Sequence, residues 1–232
     1  CILSLFMIIP GFVDWFYGND DWPAFVGASF ITLFVGSICY LSNKGIITEH
    51  LELRQAFLLT NSAWISIALF GSIPFMLSEI DMSFTDAIFE STSGITTTGA
   101  TVINNLDTTS HGILIWRALL QWLGGVGIIV MALAVLPMLS IGGMQLFKTE
   151  SYETPDKVVP KAASFAAGIS MVYISLTTLW ALMLWIAGMP IFDSIAHAMT
   201  TIATGGYSTK SESLAAFGSS SIEIIIIFGM IV

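Results

Sequence analysis

Ile95-Thr96-Thr97-Thr98-Gly99-Ala100-Thr101 is the stretch that decides the fold of this chain. A similar stretch, Ile202-Ala203-Thr204-Gly205-Gly206-Tyr207-Ser208, begins 107 residues later, since position 95 plus 107 is position 202. Each stretch follows a short segment with a helical pattern, and Asp86 in the first segment matches Asp193 in the second at the same offset. Two copies in matched settings indicate an internal repeat, and repeats are strong evidence of architecture.

The composition of both stretches suits a backbone that binds ions. Selectivity filters use rings of backbone carbonyls, and glycine lets the chain turn those carbonyls towards an axis without a Cβ clash. The alternative interpretation is that each run is a polar turn that ends a re-entrant helix. The predicted filter carbonyls belong to Thr97, Thr98, Gly99, Thr204, Gly205 and Gly206.

Composition predicts an all-α integral membrane protein. Of the 232 residues, 55% are hydrophobic and only 10% are charged, whereas ordinary soluble domains carry about 25% charged residues. Several apolar runs reach the roughly 20 residues that a helix needs to cross a bilayer. The expected environment is therefore the lipid bilayer, and a formal net charge of −9 does not suggest nucleic acid or anionic lipid as the main partner.

The pattern along the chain predicts an N-terminal helix pair followed by two helix–pore hairpin–helix repeats. Apolar spans are predicted at 1–17, 23–42, 55–78, 111–147, 162–188 and from 218 onwards. Polar connectors at 43–54 and 148–161 alternate with non-spanning excursions at 79–110 and 190–217. We divide the chain into a helix pair at 1–42, a first repeat at 43–147 and a second, truncated repeat at 148–232, so we interpret it as a fragment.

Charge predicts the orientation of these spans. Of seven basic residues, five lie in the two connectors: Lys44, Arg54, Lys148, Lys157 and Lys161. The connectors are therefore expected in the cytoplasm, and the excursions and the Asp20-Asp21 turn outside. Acidic residues on the outer side would concentrate cations, although ordinary solvated loop charge is the alternative.

Each excursion is expected to form a pore hairpin. Phe84 to Ser93 would make about 15 Å of helix, half of a hydrocarbon core of roughly 30 Å. Ser83 with Asp86 reads as a helix N-cap, and the partly negative C-terminal end would then favour a cation. The extended return is tolerated at that depth only inside protein or along water.

Ionisable residues at equivalent positions of the two short helices, Glu90 and His197, are functional candidates because of their expected depth. We favour a structural role for both, bonding the back of the filter loop, over direct ion contact. Arg117, at the start of the next helix, is expected to pair with an acid that the sequence does not identify.

These residues together resemble the Trk/Ktr/HKT superfamily of potassium transporters, specifically its bacterial TrkH type. The resemblance rests on three segments besides the second filter stretch: Phe89-Glu90-Ser91-Thr92-Ser93-Gly94-Ile95-Thr96-Thr97-Thr98-Gly99-Ala100-Thr101, Gln121-Trp122-Leu123-Gly124-Gly125-Val126-Gly127-Ile128-Ile129-Val130 and Gly142-Gly143-Met144-Gln145-Leu146. It implies four helix–pore hairpin–helix repeats around one pore, of which this chain holds two. It also implies multi-pass insertion in the bacterial inner membrane, and potassium as the transported ion at the six residues named above.

The resemblance further implies a homodimer and a cytosolic nucleotide-binding regulatory ring of RCK type. We expect the connector from Lys148 to Lys161 to be its docking surface, with a simple solvated turn as the alternative. The family's gating loop and pore-facing arginine belong to the third and fourth repeats, so neither is transferred to this chain.

Two other functions are alternatives to potassium transport. A different channel or secondary transporter with re-entrant loops would share the hairpins but select another ion or solute. An intramembrane enzyme is disfavoured, because the sequence shows no paired acids at helical spacing within a span, no His-Glu-x-x-His and no nucleophile–base pair.

Overall fold

The computed structural model describes residues 1–45, 53–139 and 158–231, and the regular structure in these residues is entirely helical. The α-helices are α1 (Ile2–Tyr17), α2 (Trp22–Ser42), α3 (Leu53–Gly71), α4 (Ile73–Leu77), α5 (Phe84–Ile95), α6 (His111–Leu139), α7 (Val158–Ile186), α8 (Ile191–Ile202) and α9 (Ser220–Ile231). Short 3-10 turns occupy Leu106–Thr108 and Ser213–Phe217. The all-α prediction is confirmed at this level.

Four described stretches are long and apolar enough to cross a membrane: Trp22–Ser42, Phe57–Leu77, His111–Ile129 and Ala167–Ile186. The third of these differs from the others, because 67% of its residues are buried inside the protein, against 17–28% elsewhere. Helix α6 is therefore the central element, and the other three stretches present most of their apolar side chains outwards.

The N-terminal helix pair packs against α6. Gly18 ends α1 in the left-handed conformation, with φ of 72°, which glycine adopts without a steric penalty. Pro23 stands in the first turn of α2, where its missing N–H costs no helical hydrogen bond. Met7, Phe25 and Trp116 are fully buried at the junction, and the rings of the last two meet edge to face at 6.4 Å.

The two short helices repeat at the predicted offset. Helices α5 and α8 both contain twelve residues, and adding 107 to the ends of α5 gives the ends of α8. The predicted N-cap of α5 is confirmed, because the Ser83 hydroxyl accepts the Asp86 N–H at 3.2 Å. Helix α5 extends to Ile95, two residues beyond the predicted end.

Glycines let both short helices end close to α6. A Cβ built on Gly124 would overlap the carbonyl oxygen of Ile95, the last residue of α5. A Cβ built on Gly125 would lie 3.1 Å from the Cα of Ala203, which follows α8. Adjacent glycines of α6 thus hold the C-terminal ends of both short helices against one segment.

The predicted span at 55–78 agrees with the apolar stretch Phe57–Leu77, within which a single residue, Ser72, separates α3 from α4. The Ser72 hydroxyl donates to the Leu69 carbonyl at 2.7 Å. Helix α7 begins at Val158 rather than at 162, because Pro160 fits the first turn of a helix. Residues 140–157, including the breaks expected at Gly142-Gly143, lie outside the described residues.

Candidate functional site

Both predicted filter stretches have the same unusual backbone. Thr97 and Thr204 adopt φ of 55° and 53°, and Gly99 and Gly206 adopt 79° and 80°. Positive φ is uncommon for residues other than glycine. Because the same values recur at the same offset, the two copies form one repeated structural unit.

Hydrogen bonds at the helix ends repeat as well. The Thr97 N–H donates to the Gly94 carbonyl at 3.0 Å, and the Thr204 N–H donates to the Thr201 carbonyl at 2.9 Å. The next N–H in each copy reaches the carbonyl five residues back, at 2.9 Å in both. Each short helix therefore closes with the same turn.

The two runs meet at Gly99 and Gly205. A Cβ built on Gly99 would overlap the Gly205 carbonyl oxygen, so the two backbones are in direct contact. Gly205 is buried, Gly99 and Thr97 are half-buried, and the other three predicted filter residues, Thr98, Thr204 and Gly206, are exposed. A Cβ on Gly206 would meet nothing within 4 Å, so this glycine borders open space.

The carbonyls around the runs fall into two groups. In the described part of the chain, none of the six predicted filter carbonyls accepts a hydrogen bond from the protein. Just beyond them, the Ala100 carbonyl accepts from the Ser93 hydroxyl at 2.6 Å, and the Tyr207 hydroxyl oxygen lies 3.2 Å from it. The Ser208 carbonyl accepts from Arg117 at 3.0 Å. The protein thus ties back the flanking carbonyls and leaves the intervening ones free.

Glu90 is fully buried and holds the chain that follows the first run. Its carboxylate accepts the Thr101 hydroxyl at 2.9 and 3.1 Å and the Val102 N–H at 3.0 Å. The Arg117 Nε lies 2.7 Å from the same carboxylate, with 1% and 0% of the two side chains exposed. Glu90 is therefore the acid that pairs with Arg117, which lies inside the protein rather than at its outer surface.

His197 plays the corresponding part in the second copy. Its Nε2 lies 3.1 Å from the Ser208 hydroxyl, and Ser208 is the residue equivalent to Thr101 at the offset of 107. Its Nδ1 lies 2.8 Å from the Asp193 carbonyl one turn earlier. The expectation that Glu90 and His197 bond the loop behind the runs agrees with these contacts.

Tyr207 links the two copies. Its hydroxyl donates to the Glu90 carbonyl at 3.0 Å, and its ring stacks on the Arg117 guanidinium, 4.0 Å from the ring centroid. Its backbone N–H donates to the Gln121 side-chain oxygen at 3.1 Å. Sequence reasoning assigned no role to Tyr207 or Gln121, because these contacts join residues far apart in the chain.

The outer loops of the two copies are also joined. The Leu106 N–H donates to the Ser211 hydroxyl at 3.1 Å, and Lys210 lies 4.0 Å from Asp107. Hydrogen bonding from Ser211 holds the pKa of Asp107 below its ordinary value. Loops that follow equivalent runs thus contact each other as the runs themselves do.

Carboxylates line an open cavity of about 690 Å³ between the α1–α2 turn and the loops around α5. Its acidic residues are Asp20, Asp21, Glu79, Asp81 and Asp86. Asp21 has a structural role, because its carboxylate accepts hydrogen bonds from the Glu79 N–H at 2.8 Å and from the Ser110 hydroxyl at 2.7 Å. Among the described residues, no group of three or more His, Cys, Asp or Glu side chains could hold a metal ion.

Comparison with known proteins identifies close relatives. A family model described as TrkH, cation transport protein, matches residues 22–232. The chain is 44% identical over 223 residues to the Trk system potassium uptake protein TrkH of Salmonella typhimurium, covering 95% of this chain and 46% of the relative. It is 35% identical over 229 residues to the Trk system potassium uptake protein TrkG of Escherichia coli K12, covering 97% of this chain and 47% of the relative.

A solved structure has the same fold. The crystal structure of the potassium transporter TrkH from Vibrio parahaemolyticus matches with a TM-score of 0.86 and 38% identity, over 98% of this chain and 46% of that one. The chain spans about half the length of the relatives that it matches. The family model covers most of the chain, and the chain therefore belongs to the TrkH cation transport family.

Proposed function

We propose that this chain forms part of a potassium uptake pathway in a bacterial inner membrane. In this proposal, Thr97, Thr98 and Gly99 from one pore hairpin and the equivalent Thr204, Gly205 and Gly206 supply carbonyls to a selectivity filter. Residues 1–42 form the N-terminal helix pair, 43–147 the first repeat and 148–232 the second. The names of the relatives, all potassium uptake proteins of Trk systems, support potassium as the transported ion.

One observation carries the proposal. Two runs with matching backbone angles meet at Gly99 and Gly205, and their six carbonyls are free of protein donors in the described residues. Gly205 is buried and Thr97 and Gly99 are half-buried, and a free carbonyl at a buried position is costly unless another partner satisfies it. A partly dehydrated cation is such a partner, because carbonyl oxygens can replace its hydration shell.

Charge supports cation rather than anion transport. The cavity beside α5 is lined by carboxylates, and a cleft lined by one sign of charge raises the local concentration of the opposite ion. The C-terminal ends of α5 and α8 lead directly into the two runs, and helix C-termini carry partial negative charge. Both features favour a cation without distinguishing potassium from sodium.

Gly99→Ser in the complete transporter tests the filter assignment. A Cβ there would overlap the Gly205 carbonyl, and φ of 79° disfavours any side chain. The runs would have to move apart, so we expect a lower ratio of rubidium or potassium flux to sodium flux in proteoliposomes. Gly168→Ser is the matched control, since a Cβ at Gly168 meets nothing within 4 Å.

Three results discriminate among the possibilities. A reduced flux ratio in G99S with an unchanged ratio in G168S supports the filter assignment. An unchanged ratio in G99S removes Gly99 from the filter. A complete transporter that carries another cation or solute in preference to potassium would instead favour the alternative re-entrant-loop transporter.

The partners are part of the same proposal. We propose assembly as a homodimer with a cytosolic nucleotide-binding regulator of RCK type, docked at the connector from Lys148 to Lys161. Only the end of that connector is described, and there Lys161 belongs to α7. Changing Lys148, Lys157 and Lys161 to Ala should weaken binding of the regulator to the correctly inserted transporter. Undiminished binding would place the docking surface elsewhere.

A further inference from the structure

We infer that Gln121 is the positioning residue that aims the second run's carbonyls at the conduction path, an inference that rests on the proposed function. Gln121 is fully buried in the middle of α6. Its side-chain oxygen accepts the N–H of Tyr207 at 3.1 Å. Tyr207 directly follows the second run, so this hydrogen bond acts at the end of the run itself.

This hydrogen bond also determines the direction of the Gly206 carbonyl. A trans peptide points its N–H and the preceding carbonyl in opposite directions, and the described residues contain no cis peptide. The Tyr207 N–H points at Gln121, so the Gly206 carbonyl must point away from α6. A Cβ built on Gly206 would meet nothing within 4 Å, so this residue also borders open space in which a cation could bind.

Gln121 also touches both runs. A Cβ built on Gly205 would overlap the Gln121 amide group, and a Cβ on Gly99 would lie 3.7 Å from its Nε2. The glutamine amide therefore occupies the space between the α6 backbone and both runs, and it sets the distance of the two runs from that helix. Its Nε2 is buried and has no hydrogen-bond partner among the described residues.

If Gln121 only stabilised the fold, its replacement would lower stability and would reduce the transport of all ions equally. A positioning glutamine must also affect the choice between ions, because carbonyl direction sets how well a dehydrated potassium is coordinated. The discriminating measurement is the ratio of potassium to sodium flux, rather than the flux of potassium alone.

The test compares Gln121→Met with Gln121→Glu in the complete transporter reconstituted in proteoliposomes. Methionine keeps the length and loses the strong acceptor, so we expect the potassium-to-sodium flux ratio to fall by about two- to tenfold, the range that one neutral hydrogen bond corresponds to. Glutamate keeps an oxygen acceptor for the Tyr207 N–H, and burial without a free cationic partner favours its neutral carboxyl form. The ratio in Q121E should therefore stay within about twofold of the wild-type ratio, since that hydrogen bond is preserved.

Trp122→Phe is the matched control on the same helix. The Trp122 ring N–H donates to the Thr177 hydroxyl at 3.0 Å, so this variant removes one hydrogen bond that faces α7 instead of the runs. We expect an unchanged flux ratio. Gln121→Asn provides a second test should Q121M not insert, because it keeps the amide but withdraws it by one methylene.

The outcomes separate this inference from the proposed function. A wild-type transporter that prefers potassium, with unchanged ratios in both Q121M and Q121N, overturns the role of Gln121 and leaves the proposed function standing. A wild-type transporter without that preference overturns both. A ratio lowered in Q121M or Q121N and kept in Q121E and W122F supports Gln121 as the positioning residue.

Discussion

Breaking the buried Glu90–Arg117 pair should cost much of the stability of the first repeat. The two side chains are 0% and 1% exposed and lie 2.7 Å apart. Glu90→Leu would leave the guanidinium with the Ser208 carbonyl and the Tyr207 ring as its remaining described contacts. Removing one partner of a buried pair typically costs about 3–5 kcal/mol, because the other charge stays buried without compensation.

The same physics predicts a smaller cost when both charges are removed. Glu90→Leu combined with Arg117→Met leaves no buried ion, and apolar replacements of buried pairs are often nearly neutral. Here the Thr101 hydroxyl, the Val102 N–H and the Ser208 carbonyl would each lose a partner. We therefore expect the double variant to retain a cost of roughly 1–3 kcal/mol for each of these groups that stays buried and unsatisfied, and to cost less than the two single variants together. The coupling between the two substitutions should therefore be large.

Thermal unfolding of the complete transporter in detergent, for wild type, both single variants and the double variant, measures that coupling. Asp107→Asn serves as a control, because Asp107 and Lys210 lie 4.0 Å apart at the surface, where ion pairs contribute little. Additive destabilisation by the two single variants would refute the reasoning, since independent sites add and coupled sites do not.

Further substitutions test individual features of the fold by thermal unfolding. Ser83→Ala removes the side chain that caps α5 and should cost about 1 kcal/mol, whereas Ser83→Thr keeps a hydroxyl that both accepts the Asp86 N–H and donates to the Asp86 carboxylate and should keep the cap. Gly205→Ala forces a methyl group into the Gln121 amide and should destabilise by about 1–3 kcal/mol or more, as overpacking does. Gly206→Ala has room but φ of 80°, so its cost should be about 1–2 kcal/mol of backbone strain. Gly168→Ala has neither problem and should stabilise helix α7 by up to about 1 kcal/mol; destabilisation there would contradict these assignments.

Local signals in the sequence predicted the repeated unit well. Ser83 followed by Asp86 marks a helix start through the chemistry of a single turn, and the structure has that cap. The offset of 107 residues between matching stretches predicted that Thr97 and Thr204 are equivalent, and their backbone angles agree to within a few degrees. Such features depend on neighbouring residues or on self-similarity, both of which one sequence displays.

Contacts between residues far apart in the chain could not be predicted in this way. Arg117 lies 27 residues from Glu90 and 91 from Ser208, and no local pattern selects those partners among the acids and carbonyls of the chain. Helix α6 was expected as one more apolar span. Its central role follows from Gly124 and Gly125, which admit the ends of α5 and α8, and glycines alone do not say what will approach them.

The two short helices differ in charged and ionisable residues at one pair of equivalent positions, Glu90 and His197, and this difference is internally consistent. Glu90 in the first copy is buried and needs a cation, which Arg117 on the following helix supplies. At the same offset, His197 replaces Glu90 and Ile224 stands where Arg117 does, and the described part of α9 contains no lysine or arginine. An imidazole can be buried neutral and still hold the loop through Ser208, so the second copy needs no counterion. The second copy has neither the acid nor the base of the buried pair, yet each copy has a hydrogen bond to the hydroxyl at the equivalent position behind its run. This loop attachment, rather than the ion pair, is therefore the feature that the repeat requires.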